Sequence, residues 1–266
     1  MVPPCGQPGG RGGPSRRALL VSAVGASLLA GCRRQAAGAR PLRVAAASDV
    51  EPAFRELGDR FTTRTGRAVV FSFGSSGALA HQIDNGAPLD LYAAASAEHV
   101  ESLRRNRRLL EPSIRPYARG QLALWARPGA PLPATVGELV QPRYSRLSLA
   151  NPEHAPYGQA AVAALRKSGI YEAVRPRLVF GENVRQAQQI AQTGDADVAL
   201  TALSLALRSQ PPGRHLVVPQ DSYPALVQTL AVVAGGDEAG AARLADFVLG
   251  QEGQAVLRGH GFLPPP

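Results

Sequence analysis

"AVVFSFGSSGALAHQIDNGAPLDLYAAAS", residues 68–96, is the stretch whose reading decides the fold. Residues 68–74 are rich in β-branched and aromatic side chains and read as a strand. Gly-Ser-Ser-Gly follows at 74–77, where Ser is a favoured helix cap. Residues 76–86 then read as a short helix that Asn85-Gly86 closes. Residues 89–96 read as a second strand, ending in alanines and Ser96. Strand, helix and strand in such close succession form a βαβ unit, the connection that a parallel strand pair requires.

The same layout recurs outward from this stretch. Upstream, "LRVAAAS" (42–48) reads as a strand ending in small residues and a serine. Phe54, Leu57 and Phe61 follow at helical spacing over 51–65. Downstream, 97–110 reads as a helix, 120–128 as a strand and 135–141 as a helix. Then come a strand at 146–152, a helix at 157–174 broken near Gly169, a strand at 177–183, a helix at 184–194 and a strand at 196–203. Two more strands, 213–220 and 228–236, precede helices at 238–250 and 251–259. This alternation predicts an α/β protein with mainly parallel sheets flanked by helices. The repetition of α/β units predicts two similar lobes, and no repeat of fixed short period is present.

The chain has 266 residues, 45% of them hydrophobic, enough for a substantial core. "SRRALLVSAVGASLLAGC" (15–32) is set apart from it. Arg16 and Arg17 precede an apolar run, Ala18–Ala30, that is too short to span a bilayer and has the layout of an export signal. Leu29-Ala30-Gly31-Cys32 resembles the lipobox of bacterial lipoproteins, whose cysteine becomes the acylated first residue. "SRRALL" resembles a twin-arginine export signal, with Leu19 where those signals usually have Phe. The expected layout is thus a signal at 1–31, lipidation at Cys32 and a tether over 32–41. Cys5 and Cys32 are the only cysteines, so the processed chain has no disulfide, no cysteine metal site and no thiol nucleophile. Removing 1–31 takes away Arg11, Arg16 and Arg17 and no acid, which lowers the formal charge from +9 to about +6. The basic run "RRNRR" (104–108) has no interleaved aromatics and reads as a solvated helix end, so no nucleic-acid partner is expected.

Ligands of open parallel sheets sit at the carboxyl ends of strands, where helix N-termini point. Those N-termini carry N–H groups without intrahelical partners and a partial positive charge, so they bind anions without Lys or Arg. Four strand-to-helix junctions have suitable residues: Ser48; Ser75 and Ser76 in "GSSG" (74–77); "NPEHAPYG" (151–158); and "GENV" (181–184). Each alone reads equally as an ordinary N-cap. Four in one chain point toward a site.

In the order they occur, "VAAAS" (44–48), "FGSSGALAHQIDNGAPLDLYAAAS" (73–96), "NPEHAPYGQAA" (151–161), "ENVRQA" (182–187) and the ending "FVLGQEGQAVLRGHGF" (247–262) resemble the periplasmic molybdate-binding proteins of bacterial ABC importers, from about residue 42 to the C-terminus. The resemblance implies a two-lobed periplasmic-binding-protein fold with an oxyanion in the inter-lobe cleft. It implies ligand contacts from the hydroxyls of Ser48 and Ser76 and from the backbone N–H groups of Tyr157 and Val184. The fifth position, often Tyr in that family, falls at Thr201. Its hydroxyl is shorter than a phenol and would need closer lobes or a bridging water. Tyr157 offers a phenol nearby. The expected lobes are 42–121 plus 219–266, and 122–218, with hinges near Leu122 and Val218. The resemblance further implies a monomer outside the cytoplasmic membrane that binds molybdate or tungstate, uses no cofactor and delivers the ion to permease and ATPase subunits.

Other readings are a receptor for sulfate or another small anion, an enzyme, and a sensor domain. The five histidines show no His-x-x-x-His spacing. Ser76 and His81 stand five apart, which a helix does not align on one face, so neither a metalloenzyme nor a serine hydrolase is indicated. The export signal argues against a cytoplasmic sensor. Asp49, a carboxylate beside Ser48, is expected to point away and cap the helix starting near Glu51 or Pro52.

Overall fold

The computed structural model describes residues 40–266. The export signal, Cys32 and all but the last two residues of the tether lie outside them. The chain is already fixed at Arg40, whose guanidinium donates to both carboxylate oxygens of Asp90 at 2.6 and 2.7 Å.

In chain order the elements are β1 (Leu42–Ala47), α1 (Glu51–Thr65), β2 (Val69–Gly74), α2 (Ser76–Asp84), β3 (Leu91–Ala94), α3 (Ala97–Arg105), β4 (Arg115–Gly120) and β5 (Leu122–Ala126). They continue with β6 (Leu147–Ala150), α4 (Pro156–Lys167), α5 (Tyr171–Val174), β7 (Leu178–Gly181), α6 (Val184–Thr193), β8 (Val198–Ala202) and α7 (Leu203–Leu207). The last are β9 (Arg214–Val217), β10 (Leu226–Val232), α8 (Glu238–Leu249) and α9 (Gln251–Gly259). They form two five-stranded sheets, ordered β2-β1-β3-β10-β4 and β7-β6-β8-β5-β9.

The two sheets share one plan. Three strands run parallel around β1 in the first and around β6 in the second. The other two pair antiparallel, β10 with β3 and β4, and β5 with β8 and β9. The sheets are therefore mixed, not mainly parallel as the alternation suggests. A parallel neighbour needs a crossover of a dozen or more residues. Strands β5 and β10 have none, because each arrives from the other sheet: at Gln121 between β4 and β5, and over 218–225 between β9 and β10. The Val218 N–H donates to the Leu122 carbonyl at 2.9 Å, so the two crossings are tied together.

Burial on both faces explains the apolar runs. In "LALWA" of β5, Leu122 and Leu124 pack with Leu165 of α4. Ala123 and Trp125 face the other way, with Ala191 of α6 and Ala206 of α7. In the first sheet, Leu42, Val44 and Ala46 of β1 pack with Phe54 and Leu57 of α1 and with Leu244 of α8. Ala45 points to the opposite face, with Leu79 of α2 and Leu103 of α3. Phe54 is 1% exposed and lies 5.7 Å, centroid to centroid, from Tyr117. Truncating such an anchor to Ala costs about 3–5 kcal/mol.

Two stretches differ from the pattern reading. The strand expected at 120–128 is preceded by a separate β4, because Gly120 pairs with Leu226 in one sheet and Leu122 with Ala202 in the other. The strand expected through 203 ends at Ala202 and turns at once into α7. The basic run at 104–108 ends α3, as expected, and two of its four arginines are matched locally: Arg104 pairs with Glu101 and Glu111 at 2.7 and 2.8 Å, and Arg108 with Asp84 at 3.3 Å.

Candidate functional site

Ser48 opens a 3₁₀ turn that runs directly into α1. It is 3% exposed, and its hydroxyl makes no hydrogen bond among the described residues. Ser75 and Ser76 divide their labour. Ser75 is the N-cap of α2 and accepts from the Ala78 N–H. Ser76, the first helical residue, is fully buried and accepts from the Ala95 N–H at 2.9 Å. Its own hydroxyl hydrogen is left to donate.

The second lobe supplies backbone donors. Pro156 lies in the first turn of α4, pre-set for that position, and Tyr157 follows with its N–H beyond the reach of intrahelical acceptors. Gly158 lets the helix start close to the end of β6: a Cβ there would lie 2.9 Å from the Pro152 nitrogen and clash with the Ala150 carbonyl. At α6 the Asn183 side chain accepts from the Arg185 and Gln186 N–H groups, both at 3.1 Å. The Val184 N–H between them is left over.

Contacts between the lobes draw these junctions together. The Gly77 N–H donates to the His154 carbonyl at 3.0 Å, and Ser75 Oγ lies 2.9 Å from His154 Nδ1. Arg185 of α6 pairs with Glu51 of α1 at 3.0 Å. Ser204 of α7 donates to the Asp49 carbonyl at 2.6 Å. Ala47 and Ala95, from the first sheet's side, share a buried cluster with Ala155, Tyr157 and Val184 of the second. The small residues at the strand ends are what allow this approach. Ser48, Ser76, Tyr157 and Val184 thus stand at helix starts from both lobes that meet at one junction. Beside them a groove of about 340 Å³ runs between α1, α6 and α7, walled by Glu51, Arg55, Arg185, Gln188 and Arg208. Arg55 and Arg185 are both paired with Glu51 there.

Thr201 is placed differently. It is fully buried, and its hydroxyl donates to Gln188 Oε1 at 2.9 Å, within the second lobe. Its single hydroxyl hydrogen is therefore committed away from the other four.

Asp49 does not cap α1: no side-chain cap bond forms there. Its carboxyl is buried at the lobe junction and accepts from Gln228 Nε2 at 2.7 Å. Burial pushes its pKa up to about 7, against the opposing effect of the hydrogen bond from Gln228. The phenol of Tyr157 is buried beside Gly120 and makes no hydrogen bond among the described residues. Burial also holds the phenols of Tyr157 and Tyr117 protonated, and the nearby carboxylate adds to the effect.

The residue patterns did not single out Gln228, Ser204 or the Glu51–Arg185 pair. Gln228 had a visible signal, an amide in the otherwise apolar run "TLAVV" and its lead-in, since buried polar side chains need partners. Ser204 had none, because its partner is a carbonyl 155 residues away.

Comparison with known proteins places this architecture. A family model described as bacterial extracellular solute-binding protein matches residues 42–263. The chain is 35% identical over 247 residues to the molybdate-binding protein ModA of Azotobacter vinelandii, spanning 91% of this chain and 96% of that one. It is 32% identical over 249 residues to the molybdate-binding protein ModA of Rhodobacter capsulatus, spanning 92% and 96%. The solved periplasmic molybdate-binding protein of Azotobacter vinelandii superposes with a TM-score of 0.79 at 30% identity, over 85% of this chain and 100% of that one. The sulfate-binding protein SubI of Mycobacterium tuberculosis has the same fold, with a TM-score of 0.75 at 18% identity over 85% and 87%. By sequence and by fold, the chain belongs to the bacterial extracellular solute-binding protein family and is a homologue of its molybdate-binding members.

Proposed function

We propose that this chain captures molybdate, and tungstate with it, in the cleft between its lobes outside the cytoplasmic membrane, held there by a lipid anchor at Cys32, and delivers the ion to a permease–ATPase complex. What supports this reading is that four helix starts, from elements tied across the lobes by Gly77–His154 and Arg185–Glu51, offer groups able to donate: the hydroxyls of Ser48 and Ser76 and the N–H groups of Tyr157 and Val184. Molybdate and tungstate are fully ionised at neutral pH and accept at every oxygen. Phosphate still carries a proton; taking it turns a serine hydroxyl from donor to acceptor or leaves the phosphate O–H unpaired. Leaving that O–H unpaired costs about 1–3 kcal/mol, roughly tenfold or more in affinity. Sulfate passes the same test and is excluded only by size. Each helix N-terminus contributes about half a unit positive charge, so several together offset the burial of a dianion. Thr201 takes part only if its bond to Gln188 is given up. Lobe closure then turns on the crossings at Leu122 and Val218, and no chemistry on the ion is required.

Titration calorimetry with molybdate, tungstate, sulfate and phosphate tests the reading. The two metal oxyanions should bind most tightly, and Ser76→Ala should weaken molybdate binding by about 1–3 kcal/mol, as for a lost hydrogen bond to a charged group. Sulfate binding as tight as molybdate sinks the selectivity, and an unchanged Ser76→Ala affinity removes Ser76 from the site.

A further inference from the structure

Gly77 is the second residue of α2. Its N–H is among the first of the helix, which no intrahelical carbonyl reaches. The His154 carbonyl, from the second lobe's loop between β6 and α4, accepts it at 3.0 Å. The two backbones meet because residue 77 has no side chain. The three atoms nearest to a Cβ placed there all belong to His154: its carbonyl oxygen at 2.8 Å, its Cβ at 3.0 Å and its Cα at 3.1 Å. Gly77 is not among the glycines with positive φ. The helix would therefore accept another residue, and it is the opposite lobe that requires glycine. Ser75 ties the same two segments, with Oγ 2.9 Å from His154 Nδ1. That oxygen already accepts from the Ala78 N–H, so its hydrogen is left for the imidazole. Gly120 and Gly261 also approach the second lobe, at Tyr157 and at Leu203 and Leu207. Both stand at a crossing: Gly120 precedes Gln121, and the Gly261 carbonyl accepts from the Gln121 side chain at 2.8 Å. The contact of Gly77 with His154 uses no crossing residue.

We propose that Gly77 is a positioning residue for ligand capture, its bare backbone meeting the His154 carbonyl as the stop at which the closing lobes come to rest. Ser76 stands directly before Gly77, and Tyr157 stands three residues after His154. The stop therefore sets how near the Ser76 hydroxyl comes to the Tyr157 N–H. A side chain at 77 holds these two segments apart, because a backbone carbonyl and a Cα cannot swing aside as a side-chain tip does. The hydrogen bond adds direction to the stop, since it forms only when the helix start and the loop meet in register. The effect on affinity rests on the oxyanion reading of Ser76 and Tyr157, whereas the effect on closure does not.

Gly77→Ala and Gly77→Leu drive a short and a long wedge into the contact. Ala78→Leu, one residue on at an exposed position of the same helix, is the control. The full chain, wild type and variants, is measured by calorimetry with sodium molybdate and by small-angle X-ray scattering with and without saturating molybdate. Gly77→Ala should bind molybdate about tenfold more weakly and Gly77→Leu about a hundredfold. The smallest radius of gyration that Gly77→Leu reaches, with or without molybdate, should exceed the smallest that the wild type reaches. Ala78→Leu should match the wild type in both measurements. Wild-type affinity and a wild-type closed radius in Gly77→Leu overturn the stop. Losses of the same size in Ala78→Leu place the effect within α2 and overturn it as well. If the wild type binds no molybdate, the oxyanion reading fails, and the ligand-free radii of wild type and Gly77→Leu decide the stop by themselves.

Discussion

Asp49 and Asp90 lie at opposite ends of one sheet. Asp49 follows the carboxyl end of β1, and Asp90 precedes the amino end of the parallel strand β3. Both residues are fully buried, yet their surroundings treat the carboxyl group differently. Asp90 accepts from the Arg40 guanidinium and from the Arg43 and Asp237 N–H groups. Burial alone would raise its pKa, but these donors bring it down to about 2. Asp49 has no cation among its hydrogen-bond partners, only the Gln228 amide, and its pKa stands near 7. The end of the sheet that anchors the chain thus holds a fixed charge, while the end that meets the other lobe holds a group that changes charge near neutral pH. An amide solvates a carboxylate without neutralising it, so burial dominates.

The contrast is most exposed to the pH dependence of stability. Asp49 has a folded pKa above its unfolded value, so the folded state binds more protons and stability falls as pH rises from about 4 to about 7. Asp49→Asn keeps an acceptor for Gln228 and removes the titration. Its stability relative to wild type should rise across that window, by on the order of 4 kcal/mol in total, as read from urea unfolding at several pH values. Parallel curves would mean that Asp49 does not titrate there.

The next effect concerns Asp90. Its depressed pKa gives stability that is present above the unfolded value near 4 and is lost as pH falls toward 2. Asp90→Ala also strands the Arg43 and Asp237 N–H groups and should cost about 3 kcal/mol at pH 7, measured by the same unfolding assay. A cost as small at pH 7 as at pH 2 would remove the fixed charge from the comparison.

The smallest effect belongs to Tyr117, which bonds the amide that holds Asp49. Tyr117→Phe deletes a long hydrogen bond, 3.3 Å, to Gln228. It should cost no more than about 1 kcal/mol in thermal unfolding and should leave the ligand-free radius of gyration unchanged. A cost well above that would show that Tyr117 does more for Gln228 than its long bond suggests.

Much of the architecture was legible in particular stretches. The reading of 68–96 matches β2, α2 and β3 as elements, because strand and helix patterns are local, but the two strands run parallel on either side of β1 and do not pair with each other. The antiparallel strands were not legible, since β4 and β5 are separated by one residue and assigned to sheets by partners distant in sequence. At the junctions the hydroxylic and small residues were visible as caps. Which serine of 75 and 76 caps and which points inward was not, because that depends on the Ala95 N–H arriving from the end of β3. Asp49 was visible as an anomaly and its direction was misjudged, since local capping preference competes with a buried amide 179 residues away.

The sequence by itself determined the helix starts, the small residues at strand ends and the two-lobed rhythm, because capping, steric size and hydrophobic period act over a few residues. Only the tertiary structure decided that Thr201 turns to Gln188, that Gln228 reaches Asp49, and that a carboxyl beside Ser48 carries a pKa near 7. Those outcomes depend on burial and on donors supplied by distant strands, which no local pattern records.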